Sequence, residues 1–108
     1  MIEDTLHKLE NRLKQSKNLN PENRKALQKL VNELRTEIDQ LDDDERAESI
    51  AGFTENSARE ALRKEQDQDL LDIALDGLHK STRDFEVSYP KLTAVVNNIC
   101  QQLSNLGI

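Results

Sequence analysis

The sequence has no tryptophan and only Phe53, Phe85 and Tyr89 as aromatic residues, so its core has to be aliphatic. Cys100 is the single cysteine, which excludes an internal disulfide or a cysteine zinc site. Lying at the edge of an apolar arc, it reads as a small buried hydrophobe. Three glycines and two prolines are too few for a many-turned β protein. No stretch approaches the roughly eighteen apolar residues of a membrane span, and Met1-Ile2-Glu3-Asp4 lacks the basic and apolar segments of a secretory signal. A cytoplasmic protein with no membrane partner is expected. Nucleic acid is disfavoured too, because a net charge of −6 offers few clustered cations to displace phosphate counterions.

What the chain does have is Glu, Lys, Leu, Gln and Arg in the proportions of long helices. An all-α fold of about four main helices follows, in one domain by length. Tyr89 to Ile108 organises it. From Pro90 onward Lys91 is the only charged residue. Leu92, Val95, Val96, Ile99, Cys100, Leu103 and Leu106 recur at helical spacing over an arc of roughly 140°. The opposite face carries Asn97, Asn98, Gln101, Gln102 and Asn105, polar but uncharged. Such a helix expects neighbours on more than one side. Pro90 suits its first turn, and Gly107 its close.

Ile2, Leu6, Leu9 and Leu13 keep to a narrow stripe, the seam of a coiled coil. Asn20-Pro21-Glu22 reads as cap, first turn and an acid favoured at the positive end of a helix. Leu27, Leu30 or Val31, Leu34, Ile38 and Leu41 then repeat the seam, so residues 2–41 are expected as a helical hairpin. Lys8, Arg12, Lys14, Lys17, Arg24, Lys25 and Lys29 gather toward its turn as a mildly basic tip, read first as a solvated exterior and, as the alternative, as a site for an acidic partner.

Residues 42–68 read as an acidic, partly flexible middle. Asp42-Asp43-Asp44-Glu45 falls where the apolar spacing fails and is expected as a helix end or a mobile linker. It lacks the alternation and glycine of a calcium loop. Ile50, Phe53, Ala58, Ala61 and Leu62 suggest a short helical piece capped by Thr54 or Asn56, tucking an aromatic against the bundle. Ala58, Ala61 and Leu62 would point nearly opposite Leu71, Ala74, Leu75, Leu78 and Phe85 on one straight helix, so a break is expected across Arg63 to Gln68. Residues 69–108 form a C-terminal helix pair joined at Val87 to Pro90. On its first helix Asp69, Asp72 and Asp76 give way to Lys80 and Arg83, the order that the helix dipole favours.

No catalytic constellation emerges, and no metal or cofactor site is expected. His7 and His79 lie on different helices without a neighbouring Cys or second His, and the Glu-x-x-His pattern of di-iron bundles is absent. Asp84-Phe85-Glu86-Val87-Ser88-Tyr89-Pro90-Lys91-Leu92 and Leu103-Ser104-Asn105-Leu106-Gly107-Ile108 resemble the C-terminal signature of a family of small acidic bacterial helical proteins, known only as a domain of unknown function, family forty-four zero four. The N-terminal hairpin with its Asn-Pro-Glu restart is similar as well, so the likeness covers roughly residues 2–41 and 70–108. The chain departs from it in a longer middle and in Tyr89 where histidine is expected. The resemblance implies a cytosolic helical protein and carries no activity with it.

The expected architecture is an elongated helical hairpin and bundle with coiled-coil-like packing. Its surplus apolar surface would be covered by a second copy, giving a homo-oligomer, a dimer in first place. The interface, with itself or with another protein, is assigned to Leu6, Leu9, Leu13, Leu27, Leu34, Ile38, Leu92, Val96, Ile99, Leu103 and Leu106. The function read is a non-enzymatic, self-associating structural or protein-interaction module. The alternative is a small ligand-binding or enzymatic bundle with a site around His7 or His79.

Overall fold

The computed structural model describes residues 2–106, and helices are the only regular structure among them. Its helices are α1 (Ile2–Gln15), α2 (Pro21–Ile38), α3 (Asp44–Ala61), α4 (Gln68–Thr82) and α5 (Pro90–Leu106), with a 3₁₀ turn over Arg83–Phe85 after α4. The expected closing role of Gly107 lies outside the described residues.

Helix starts follow the chemistry of the free N–H groups. The Asn20 side chain accepts from the Asn23 N–H at 2.7 Å with Pro21 in the first turn, as expected. Asp43 accepts from the Arg46 N–H at 3.1 Å, and Asp67 from the N–H groups of Asp69 and Leu70 at 3.0 and 3.2 Å. Pro90 opens α5, and the Tyr89 carbonyl accepts from the Thr93 N–H at 3.2 Å. The acidic run is thus a helix start: Asp43 caps α3, and Asp44 and Glu45 lie at its positive end. The break expected across Arg63 to Gln68 is present between α3 and α4.

The middle of the chain differs most from the sequence reading. An 18-residue helix replaces the short piece, and Thr54 lies in its interior, donating its hydroxyl to the Ile50 carbonyl at 2.7 Å. Ala47, Ile50, Ala51, Thr54, Ser57, Ala58 and Ala61 are buried. Small side chains let this helix approach its neighbours closely. It packs on α1, α4 and α5, and α5 packs on α2, α4 and α3. The helices therefore form a closed ring in the spatial order α1, α2, α5, α4, α3, with α3 and α5 touching across it.

The all-α bundle expected from sequence is present, with five helices for about four, and it is more compact than the elongated form expected. A radius of gyration of 12.8 Å, with extents of 37 × 24 × 22 Å, equals the about 13 Å of a close-packed chain of this length. Instead of zipping mainly onto each other as an extended hairpin, α1 lies chiefly on α3 and α2 chiefly on α5.

Arginines tie the rim. Arg24 donates to four carbonyls of the α1 end and the α1–α2 turn: Leu13, Lys14 at 3.1 Å, Ser16 at 2.8 Å and Leu19 at 3.0 Å. Arg35 holds α2 to α1 through both Glu10 oxygens, at 2.6 and 3.3 Å. Arg12 holds α1 to α3 through Glu55 at 2.9 Å. Arg46 lies 4.5 Å over the Phe85 ring, which meets Tyr89 edge-on at 5.5 Å, and so ties α3 to the α4–α5 connection.

Two substitutions check this packing by chemical denaturation. Leu103→Ala should cost about 2–5 kcal/mol, independent of protein concentration, and half-buried Leu106→Ala clearly less. Ala51→Leu should cost about 1–3 kcal/mol by overpacking, whereas in a mobile linker it would cost nothing.

Candidate functional site

The residues assigned from sequence to an interface are inside the molecule. Leu6, Leu9, Leu13, Leu27, Leu34, Ile38, Leu92, Val96, Ile99 and Leu103 are buried in the chain's own core, and Leu106 is half-buried against it. Those of α1 are covered chiefly by α3 and those of α2 chiefly by α5; the alanine-rich face of α3 carries too little hydrophobicity to stand out beside leucine seams. Those side chains are not available to a second copy while the bundle is folded.

The apolar surface left outside is elsewhere. Phe53 on α3 is 40% exposed, and Leu70 and Ile73 on α4 are 41% and 69% exposed. The neighbouring turns of α4 bring Leu70, Ile73 and Gly77 to one side of that helix, away from the buried arc of Leu71, Ala74, Leu75 and Leu78. Gly77 is where the two helices join this surface. A Cβ at that position would lie 2.9 Å from Phe53 Cε1, so the absence of a side chain lets the aromatic ring lie on α4. Phe53 lies against the neighbouring helix α4, but it is exposed and not tucked in as its sequence context suggested. Val87 is exposed too, in the α4–α5 connection.

Charge runs beside this apolar strip in a fixed order. Asp69, Asp72 and Asp76 occupy the N-terminal two-thirds of α4, and Lys80 and Arg83 follow at its end. Gln68 donates to Asp72 at 3.0 Å. The Lys80 ammonium, hydrogen-bonded at 2.9 Å, holds the Asp76 carboxyl below its ordinary value.

The histidines have separate surroundings. His7 is exposed on α1, with its ring nitrogens 3.8 Å from Glu3 and from Glu10. His79 lines a shallow cleft of about 290 Å³ between α4 and α5, together with Asp76, Arg83, Glu86 and Asn97. Among the described residues no group of three or more His, Cys, Asp or Glu side chains stands close enough to hold a metal ion. Cys100 is buried as expected, and burial pushes its thiol up to about 11. No helix among the described residues is long and apolar enough to cross a membrane.

With the fold and these surfaces described, the family can be stated. Residues 42–108 match the family named Domain of unknown function (DUF4404). The chain belongs to that family. The match takes in α3, α4 and α5, including the middle that read as a departure, and leaves the α1–α2 hairpin outside the matched residues. The exposed strip of Phe53, Leu70, Ile73 and Gly77 lies wholly within it. No curated protein and no solved structure matches the chain.

Outside the family region, the α1–α2 contact makes a pH-dependent contribution. The Arg35 guanidinium, hydrogen-bonded to Glu10, holds that carboxyl below its ordinary 4.5. A depressed folded-state value means stability that is present above pH about 4.5 and lost as pH falls through the folded value. Glu10→Gln should therefore melt below the wild type at neutral pH, and the two melting temperatures should converge in acid. A gap that persists down to pH 2, on the order of two units below the ordinary value, would show that the carboxylate charge is not what Arg35 holds.

Proposed function

We propose that this chain is a non-enzymatic, self-associating helical module that pairs with a second copy of itself through the outer α3–α4 face. The observation that carries this reading is the strip of Phe53, Leu70 and Ile73, apolar side chains left outside a bundle that buries its leucine seams. Exposed large apolar groups that adjoin one another mark contact surfaces more often than isolated ones do.

The order of charge on α4 favours a second copy as the occupant. In an antiparallel pairing about a two-fold axis, Asp69 and Asp72 of one chain face Lys80 and Arg83 of the other, and the reverse holds at the far end. A two-fold contact uses the same patch on both partners, so a helix with acids first and bases last complements itself only in this direction. The parallel arrangement would set acid against acid. The apolar strip supplies the affinity, and the rim charges supply direction and rate.

The homodimer expected from sequence is thereby retained, with its interface moved from the seam leucines to α3 and α4. Docking rather than catalysis is the role this reading assigns. Ile73 is the side chain to test, because it is mostly exposed and its replacement leaves the core untouched.

Sedimentation equilibrium of the full chain should show a dimer whose dissociation constant rises at least about tenfold in Ile73→Asp, given the loss of a buried aliphatic side chain. The helical circular dichroism should not change. A wild type that stays monomeric at every concentration, or an Ile73→Asp dimer of undiminished affinity, would remove this reading.

A further inference from the structure

A second surface lies where the α1–α2 turn meets the segment after α3. There an open cleft of about 410 Å³ runs between the last turns of α1, the α1–α2 turn and the segment following α3. Its walls carry Lys8, Arg12, Lys17 and Lys64 and no carboxylate, in a chain whose net charge is −6. Cations concentrated in a concave surface against the overall sign of the protein focus a positive potential there.

Local structure explains how they converge. Lys8, Arg12 and Gln15 follow one another at helical spacing along one face of α1. Lys17 and Asn18 extend the same wall through the turn, which Arg24 pins from behind by its bonds to the carbonyls of Ser16 and Leu19. Asn18 donates to the Leu62 carbonyl at 3.5 Å, linking this wall to the segment that carries Lys64. Among the described residues Lys8, Lys17 and Lys64 have no ion-pair partner within 4.0 Å. Arg12 gives one nitrogen to Glu55, while its Nε is buried without a hydrogen-bond partner among the described residues.

From this arrangement we infer an anion-binding site for a compact polyanion. Unpaired ammonium groups supply charge, and the amides of Asn11, Gln15 and Asn18 supply neutral donors that suit phosphate or carboxylate oxygens. The lining contains no aromatic side chain, so a nucleobase would find no stacking surface, and Leu62 is its one large apolar residue. The ligand class is a small molecule with several phosphate or carboxylate groups. The site is separate from the α3–α4 face and does not depend on dimerisation.

The test is calorimetry on the full chain at physiological ionic strength, with inorganic tripolyphosphate and citrate as probes, and amide chemical shifts to locate binding. Saturable one-to-one binding is expected, with shifts confined to residues 8–18 and 62–64. Lys8→Ala/Lys64→Ala should weaken it roughly tenfold, the sum expected for two exposed ion contacts. Lys29→Ala/Lys91→Ala removes the same charge outside the cleft and should leave it unchanged. Tighter tripolyphosphate than citrate assigns the site to phosphate ligands, and the reverse assigns it to carboxylates. Absence of saturable binding with both probes, or an equal loss in the two double variants, would overturn the site.

Discussion

The fold depends on one packing constraint: α3 must fit between α1, α4 and α5. Ala47, Ala51, Ala58 and Ala61 on that helix are all buried, with Ile50 as the large side chain among them. Alanine stabilises a helix while taking little room, so α3 can lie close against α1, α4 and α5 at once. Without α3 the stripe of Leu6, Leu9 and Leu13 would lose the main neighbour it has in the ring. The arginine ties on the rim then fix how the helices are set against each other. Their partners, Glu10, Glu55 and the carbonyls of the α1–α2 turn, each come from a neighbouring element or its end.

Much of this was legible in the residues. The leucine seams, Asn20 and Pro21 at the start of α2, Pro90 at the start of α5 and the break before Gln68 follow from spacing and capping chemistry, which are local. What the seams pack against is not local. A period of three and four says that a face is buried, but the same signal serves a second copy or another helix of the same chain. Here α3, the helix that covers the α1 seam, was hidden by two features of its sequence. Its small apolar residues weigh little against Arg46, Glu48, Glu55 and Arg59, and its acidic start resembles a linker until Asp43 is seen as a cap.

The functional surfaces were less legible for a related reason. Leu70 and Ile73 could have been noticed as apolar residues off the buried arc of α4, whereas Phe53 and Gly77 join them only through tertiary packing. On the other side, the basic tip was visible, but Lys64 reaches it from a distant part of the sequence, and Arg24 proves to be a structural pin. A chain of net charge −6 thus separates its charges in space. Acids flank an apolar face on α4 within the DUF4404 region, and cations gather where the hairpin meets the end of α3.

Native-state hydrogen exchange of the α3 amides tests the central claim most directly. If α3 is the element that closes the ring, the amides of Ile50, Ala51, Thr54 and Ala58 exchange only through global unfolding, with the same free energy as the most protected amides of α5. If they exchange at the rate of an open chain while α1 and α5 stay protected, the middle of the chain is a linker, and the leucine seam of α1 is covered by something other than α3.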